Sequence, residues 1–182
     1  MSEALTRTEP VTHAAFVRDS VTISLAPPSA RFSLRARDPA ALEALLGRKL
    51  PAKIGAMEGE IACLGPDEWL LRTADGAAVP MGEGLPLAIT DVSERAICLI
   101  VEGPRAAAVL MAGCPLDLDR FAIGRATRTI FETVEIILIR SGEHRFEVEV
   151  WRSFAPWLHL ALTTVAAQKT GLNWNNPKTC LP

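Results

Sequence analysis

The sequence has few of the side chains that carry chemistry in most enzymes. It contains no tyrosine, three histidines and four cysteines among 182 residues. The histidines, His13, His144 and His159, lie far apart, and none has a carboxylate or a second histidine at the spacing of a metal motif. The sequence therefore predicts no metal site.

The motifs of cofactor binding and of covalent catalysis are also missing. No serine stands in the G-x-S-x-G context of a hydrolase nucleophile, and Ser93 and Ser153 are interpreted as a turn residue and a helix cap. The glycines form neither the G-x-G-x-x-G pattern of dinucleotide binding nor the phosphate loop G-x-x-x-x-G-K-[ST]. We expect this chain to hold neither flavin nor nicotinamide.

Charge and cysteine spacing argue against further classes. The 19 basic and 21 acidic residues are interspersed and give a net charge of -2, so no basic run matches a nucleic-acid backbone. The N-terminus lacks the apolar core of a signal peptide, and no segment approaches the roughly 20 apolar residues of a membrane helix. A cytoplasmic protein without nucleic-acid or membrane partners is predicted.

The cysteines never occur at C-x-x-C spacing and are expected to be reduced structural residues. They are Cys63, Cys98, Cys114 and Cys180.

The composition fits one folded domain. Hydrophobic residues make up 49% of the chain and charged residues 22%, which is a balance typical of globular proteins. The length lies below the size at which chains usually divide into domains. Residues 1–20 show no sustained period and are predicted to form an arm, residues 21–170 a single α+β domain, and residues 171–182 a tail.

The first half of the domain is predicted to contain two strands, a helix and a hairpin. Apolar and polar residues alternate over 21–25 and again over 32–36, as in half-buried strands. The segment 38–47 begins with Asp-Pro and ends with glycine, which predicts a capped helix. Two apolar runs around a Gly-Pro-Asp turn predict a hairpin over 61–71, and glycine and proline predict a loop over 74–86.

The second half repeats this order. A strand over 97–101 is followed by a helix over 103–113, a hairpin over 134–150 that turns at 141–143, and a final helix from Ser153 to about residue 169. The repeat is interpreted as a degenerate internal duplication, although common turn and cap residues can match by coincidence. The predicted fold is α+β, with two strand-helix-strand-pair halves that pack their helices on antiparallel sheets.

A few polar and aromatic residues are candidates for contacts with other molecules. Asp91 ends an apolar strand beside a long loop and is the best candidate for a ligand contact, although aspartate more often forms a turn there. Glu147 and Glu149 share one face of a strand, which is interpreted as solvated. Three tryptophans near or after the last strand either close a core or anchor an interface. With the neighbouring arginine they are the candidate interface residues Trp151, Arg152, Trp157 and Trp174.

Several short segments, taken in order, carry a resemblance to a known family. They extend from about residue 31 to residue 162, and none would suffice alone. The clearest are Leu34-Arg35, Gly65-Pro66-Asp67-Glu68-Trp69-Leu70-Leu71, Asp91-Val92-Ser93, Glu102-Gly103-Pro104, Gly113-Cys114-Pro115-Leu116-Asp117-Leu118, Phe146 and Arg152-Ser153-Phe154-Ala155. In this order they resemble the gamma subunit family of heterotetrameric sarcosine oxidase.

The resemblance implies a fold and a role. The fold would be similar to the folate-binding domain of aminomethyltransferases. The complex oxidatively demethylates sarcosine to glycine, yields hydrogen peroxide and can pass the one-carbon unit to tetrahydrofolate. The resemblance also implies that FAD, FMN, NAD and zinc are held by partner subunits, named alpha, beta and delta. This chain would then hold no cofactor, serve assembly and be inactive alone.

Other functions stay open on sequence grounds. A free-standing folate-binding protein with the aminomethyltransferase fold would be about twice as long and carry a second domain. A folate-binding repair protein for iron–sulfur enzymes would show a K-G-C-Y-x-G-Q-E-like segment, and residues 112–115 lack it. A protein-binding module unrelated to sarcosine is a further alternative.

Overall fold

Two antiparallel sheets and three helices make up residues 8–168, which are the residues that the computed structural model describes. None of these helices is long and apolar enough to cross a membrane. In chain order the elements are β1 (Phe16–Arg18), β2 (Val21–Leu25), β3 (Ser29–Ala36), α1 (Pro39–Leu46), β4 (Met57–Glu58), β5 (Ile61–Gly65), β6 (Glu68–Ala74), β7 (Leu87–Asp91), β8 (Ala96–Glu102), α2 (Ala106–Met111), β9 (Arg125–Phe131), β10 (Val134–Gly142), β11 (Arg145–Trp151) and α3 (Ala155–Ala167).

The two halves of the chain exchange strands. The first sheet has the order β1-β2-β8-β11-β10-β9, and the second has the order β4-β5-β6-β3-β7. The strand β2 precedes β3 of the first half but pairs with β8 of the second half. The strand β7 precedes β8 of the second half but pairs with β3 of the first half. The remaining strands repeat one order, since β3-β6-β5-β4 corresponds to β8-β11-β10-β9. This shared order favours the predicted duplication over a chance match of turn residues.

Helices cover the outer face of each sheet, as the sequence predicted. The helices α2 and α3 pack on the first sheet through a core that contains Leu110, Leu158 and Phe146. The helix α1 packs on the second sheet through Leu42. The inner faces of the sheets meet across a thin apolar cluster formed by Ala62, Ala126 and Ile139. The molecule therefore has four layers, and this small apolar cluster lies between the two sheets.

Local capping explains the bounds of α1. The side chain of Asp38 accepts a hydrogen bond from the Ala40 N–H at 3.0 Å, which satisfies one of the free amides of the first turn. Gly47 ends the helix in the left-handed conformation, with φ 62°, and its N–H donates to the Glu43 carbonyl. The prediction of this helix and of both its caps is confirmed.

The start of the last helix differs from the prediction. The helix α3 begins at Ala155 without a side-chain cap, so the expectation that Ser153 caps it is wrong. The Phe154 N–H donates to the Trp151 carbonyl at 2.9 Å, and the Ala155 N–H donates to the Arg152 carbonyl at 3.4 Å. Because this tight turn satisfies the first free amides with backbone carbonyls, no hydroxyl cap is needed.

Other boundaries also shift. The helix α2 begins at Ala106 rather than near Pro104, because Gly103 adopts φ 119° and the chain makes a turn before it enters the helix. The last hairpin turns at 143–144, since a bulge between Arg140 and Gly142 lengthens β10. The sequence did not predict β1, β4 and β9, which lie at sheet edges, and β1 falls within the predicted arm.

Candidate functional site

Charged residues converge between the two sheets. Arg31 on β3 and Arg72 on β6 are directly opposite each other in the register of the second sheet. They face Glu147 and Glu149, which stand two residues apart on β11 of the first sheet. We call these four residues the inter-sheet ion cluster.

Glu149 binds both arginines of the cluster. Arg31 donates from Nε to Oε2 at 2.6 Å and from Nη2 to Oε1 at 3.3 Å, and Arg72 donates from Nη1 to Oε1 at 3.1 Å. The side chains of Arg31 and Glu149 are each 3% exposed. Two like charges on neighbouring strands repel one another, and the carboxylate between them offsets this repulsion. The expectation of a solvated face is wrong for Glu149, because the second sheet covers it.

Arg72 joins the second carboxylate and a thiol to the cluster. Its Nη2 donates to Glu147 Oε2 at 2.7 Å, and its Nη1 lies 3.9 Å from Cys98 Sγ. Burial by itself would lower the pKa of the Arg72 guanidinium, but the charges of Glu149 and Glu147 outweigh burial and raise it. Burial raises the pKa of the Cys98 thiol, so this cysteine stays protonated and poorly nucleophilic at neutral pH.

The described cysteines are structural. Cys63, Cys98 and Cys114 are free and buried, as predicted, and Cys180 lies outside the described residues. Within residues 8–168, no three His, Cys, Asp or Glu side chains come together in a group that could hold a metal ion.

The two larger spaces that border the ion cluster differ in size and in how open they are. The first, of about 40 Å³, is lined by Arg31 and Glu149. It has room for a few water molecules, since one water needs about 10–15 Å³. The second is an open groove of about 350 Å³ beside Arg72 and Glu147. The arginines on this groove already have carboxylate partners, because Arg145 pairs with Glu102 and Arg72 pairs within the cluster.

The arrangement is suited to joining the sheets rather than to proton transfer. Each arginine of the cluster has a carboxylate within hydrogen-bond distance, and the neighbouring thiol is held neutral by burial. Buried ion pairs add little net stability over apolar packing, but removing one partner of such a pair is strongly destabilising. The cluster therefore ties one sheet to the other.

Acid should weaken this contact. Burial by itself would raise the pKa of Glu147, but the charge and hydrogen bond of Arg72 lower it below the ordinary 4.5. A carboxylate with a lowered folded-state pKa contributes stability above its unfolded pKa and loses it as the pH falls through the folded pKa. Hydrogen bonds from Arg128 and from Ser93 likewise lower the pKa values of Glu68 and Asp91. We expect the free energy of unfolding to decrease as the pH drops below about 4.5.

Urea unfolding at a series of pH values between about 7 and 3 measures this loss. The matched variant is Glu147→Gln, which keeps the size of the side chain and cannot titrate. Its stability should fall less steeply with acid than that of the unaltered chain. Equal slopes in the two proteins would show that Glu147 contributes nothing to the acid sensitivity.

Asp91 is connected to Arg31 of the ion cluster by hydrogen bonds through Ser93. Its Oδ1 accepts hydrogen bonds from the Ser93 N–H at 2.9 Å and from the Ser93 hydroxyl at 2.6 Å. The Ser93 hydroxyl oxygen in turn accepts a hydrogen bond from the Arg31 N–H at 2.9 Å. Asp91 lines neither of the spaces beside the ion cluster. This geometry is that of a turn-forming aspartate, and it links the segment 91–93 to the position of Arg31.

The predicted interface tryptophans lie around the junction of β11 and α3. Trp151 is 46% exposed, its ring lies 5.6 Å from the Arg95 guanidinium carbon, and it stands 6.5 Å from the Phe154 ring. Trp157 is 38% exposed and meets the ring of Phe131 edge to face at 6.4 Å. Trp174 lies outside the described residues. The structure thus brings Trp151 and Trp157 to one end of α3 with large faces left uncovered.

Arg152 turns toward the N-terminal arm. Its Nη2 donates to the carbonyl of Thr8, and its Nη1 lies 3.7 Å from the carboxylate of Glu9 and 3.8 Å from that of Glu94. Its side chain is largely buried by these contacts. In the isolated chain, Arg152 therefore fastens the arm to the start of the last helix.

Sequence reasoning missed Arg31 and Arg72. Each stands at an alternating position of a strand whose other face is apolar, which is also the pattern of an ordinary solvated arginine. The available signal was the coincidence of two arginines on paired strands and two glutamates on one face of a third. This signal has meaning only when the two sheets are known to face each other.

The comparisons with known proteins agree with this fold. The model of the sarcosine oxidase, gamma subunit family matches residues 35–168. The chain is 33% identical to the sarcosine oxidase subunit gamma of Corynebacterium sp. (strain U-96) over 145 residues, which cover 70% of each chain. The chain belongs to the sarcosine oxidase gamma subunit family. Another member, from Arthrobacter sp., is 34% identical over 122 residues, or 60% of each chain.

The chain also aligns with solved structures, both of a sarcosine oxidase and of an aminomethyltransferase. The chain aligns with a chain of the heterotetrameric sarcosine oxidase from Corynebacterium sp. U-96, solved in complex with pyrrole 2-carboxylate. The TM-score is 0.77 with 29% identity, and the alignment covers 90% of this chain and 98% of that one. It also aligns with the glycine cleavage system aminomethyltransferase T from Bartonella henselae, with a TM-score of 0.61, 18% identity, and 80% and 46% coverage. The predicted likeness to the aminomethyltransferase fold is confirmed.

Proposed function

We propose that this chain is a structural subunit of a heterotetrameric sarcosine oxidase, in which it holds no cofactor. The complex oxidatively demethylates sarcosine to glycine with release of hydrogen peroxide, and it passes the one-carbon unit to tetrahydrofolate in the cytoplasm. The observation that carries the proposal is the alignment with 98% of one chain of such a complex. The whole fold, rather than a fragment of it, therefore corresponds to one component of an assembly.

The partners are the alpha, beta and delta subunits, which bind the FAD, FMN, NAD and zinc of the complex. The interior of this chain supports that division of labour. The inner faces of its sheets are joined by ion pairs, and the space beside Arg31 and Glu149 is only about 40 Å³. Pockets for cofactor-sized ligands usually measure about 300–1,000 Å³. The groove beside Arg72 reaches about 350 Å³, but it is open and its arginines are already paired with carboxylates.

We assign no folate site to the described residues of this chain. The likeness to an aminomethyltransferase concerns the fold, and a fold does not by itself carry a function. Asp91, the candidate ligand residue, directs its carboxylate at Ser93. The open groove beside Arg72 offers arginines that are already paired. We therefore propose that tetrahydrofolate binds elsewhere in the complex.

Assembly uses the junction of β11 and α3. Trp151 and Trp157 present aromatic surface there, and such residues dominate the energetics of interfaces. Arg152 supports this junction by holding Thr8 and Glu9 of the arm. Trp174 is proposed as a further contact from the tail.

The test is co-expression of the affinity-tagged chain with the other three subunits. The tagged chain should recover the three partners, and the complex should show a flavin spectrum and oxidise sarcosine. The chain expressed alone should be colourless and inactive. Calorimetric titration of the chain with tetrahydrofolate should show binding absent or weaker than about 1 mM.

A preparation that omits this chain is the matched control. Because its role is structural, the remaining subunits should still carry flavin but dissociate more readily on gel filtration. Stoichiometric flavin on the isolated chain would contradict the proposal. Micromolar affinity for tetrahydrofolate that is lost in Asp91→Ala would show that this chain retains a folate site.

A further inference from the structure

The last helix has a composition that is unusual for a surface helix. Among its residues, Ala155–Ala167, none is Asp, Glu, Lys or Arg. A surface helix ordinarily carries charged side chains on the face that meets water, and a helix that is apolar on all sides is ordinarily buried. Yet α3 exposes an outward face, on which Leu160 is 65% exposed.

The neighbouring helix shares this property. The helix α2, Ala106–Met111, contacts α3 on the same outer face of the first sheet and also has no charged residue. Ala108 and Met111 are exposed on it. We call the exposed neutral residues of these two helices the helical face: Ala108, Met111, Pro156, Trp157, Leu160 and Thr164.

The aromatic residues at the β11 to α3 junction extend this surface. Trp151 and Phe154 are adjacent to the start of α3, and both are nearly half exposed. The helix on the opposite side of the molecule differs, since Glu43 on α1 pairs with Lys49 in water. The outer face of the first sheet therefore carries a group of exposed uncharged side chains, whereas an ion pair lies beside α1 on the second sheet. Contiguous apolar patches of this kind mark sites of protein interaction.

We propose that the helical face docks on an apolar surface of another subunit of the heterotetramer, an inference that rests on the proposed function. The partner surface is uncharged, because a charge placed against these side chains would lose its water without gaining a hydrogen bond. The family match covers both helices and stops at Gln168, so the shared part of the family includes this face and excludes the tail. A solved relative that aligns over nearly its whole length is a component of a heterotetramer.

The test places a charge on the helical face of the tagged chain in the full complex. Leu160→Glu should reduce recovery of the partner subunits about tenfold or more, since a buried carboxylate without a partner is strongly unfavourable at an interface. Leu160 suits this test because its side chain is mostly exposed, whereas Trp157 also packs on Phe131. Circular dichroism and thermal unfolding of the isolated variant should match those of the unaltered chain.

The matched control is Ile54→Glu, the same change at an apolar residue that is 52% exposed beside the second sheet. It should assemble like the unaltered chain. If the unaltered chain recovers its partners and Leu160→Glu does so equally well, the inference about this face is overturned while the proposed function stands. If the unaltered chain recovers no partner, the proposed function itself fails.

Two further measurements test two alternatives: that the helical face binds a second copy of this chain, and that the tail makes the contact with the partner subunits. An isolated chain that is dimeric on gel filtration, and that Leu160→Glu converts to a monomer, would assign the face to a second copy and overturn the proposal. A chain that ends at Gln168 loses the proposed Trp174 contact but should still recover the partner subunits, because the helical face remains. If that truncated chain fails to assemble while Leu160→Glu assembles, the contact belongs to the tail and the proposal is again overturned.

Discussion

Replacing Glu149 by glutamine is expected to lower the free energy of unfolding by about 3–5 kcal/mol, the usual cost of removing one partner from a buried ion pair. Glu149 is the carboxylate that both arginines of the inter-sheet ion cluster bind. Its loss leaves the guanidinium of Arg31 buried without a counter-charge. A protein of this size is stabilised by about 5–15 kcal/mol, so the variant should lose a large share of its stability.

Denaturant unfolding monitored by circular dichroism measures this loss. Glu147→Gln is the matched control and should cost less, because Glu147 is more exposed and Arg72 keeps its hydrogen bond to Glu149. The double variant Arg31→Met, Glu149→Leu should recover much of the stability, since an apolar pair can replace a buried ion pair. A cost for Glu149→Gln no larger than that for Glu147→Gln would contradict the central role of Glu149.

Replacing Gly103 by alanine is expected to cost about 3 kcal/mol or more. Gly103 has φ 119°, a conformation that side chains rarely adopt, and a Cβ there would lie 2.2 Å from the backbone carbonyl oxygen of Ser20. The backbone cannot retreat easily, because the Arg105 N–H donates to that same carbonyl and the Gly103 N–H donates to the His144 carbonyl. This turn also leads into α2, so the variant should disturb the helical face.

Thermal unfolding compares this variant with Gly76→Ala. Gly76 also has a positive φ, of 72°, but no atom lies within 4 Å of the position of its Cβ. Its replacement should cost only the backbone strain, roughly 1 kcal/mol. If the two variants unfold at similar temperatures, the close approach of Ser20 and Gly103 does not contribute to stability.

Local chemistry made part of the fold predictable. The cap residues Asp38 and Gly47 bind amides and carbonyls within a few residues of themselves, so their effect can be predicted from the adjacent residues in the sequence. The hairpin of β5 and β6 was predictable for the same reason, because its turn residues adjoin its strands. The caps at the other two helices were less predictable, since backbone turns started them instead of side chains.

The exchange of strands between the halves was beyond the reach of local patterns. The pairings of β2 with β8 and of β7 with β3 join segments that no local pattern connects. Their register depends on how complete sheets stack and twist, which involves many weak contacts at once. The same stacking buried Glu149, whose alternation with valines in β11 is also the ordinary pattern of a solvated strand face.

The sequence by itself determined the α+β class, most strands, the ends of the first helix and the likeness to the gamma subunit family, because these depend on residue order and on interactions over short distances. Only the tertiary structure decided where the charges and aromatic rings lie. Arg31 and Glu149 are 118 residues apart in the chain and meet because two sheets pack face to face. Whether a side chain is buried against a partner or left facing water is a property of the surfaces that surround it, and those surfaces exist only in the folded chain.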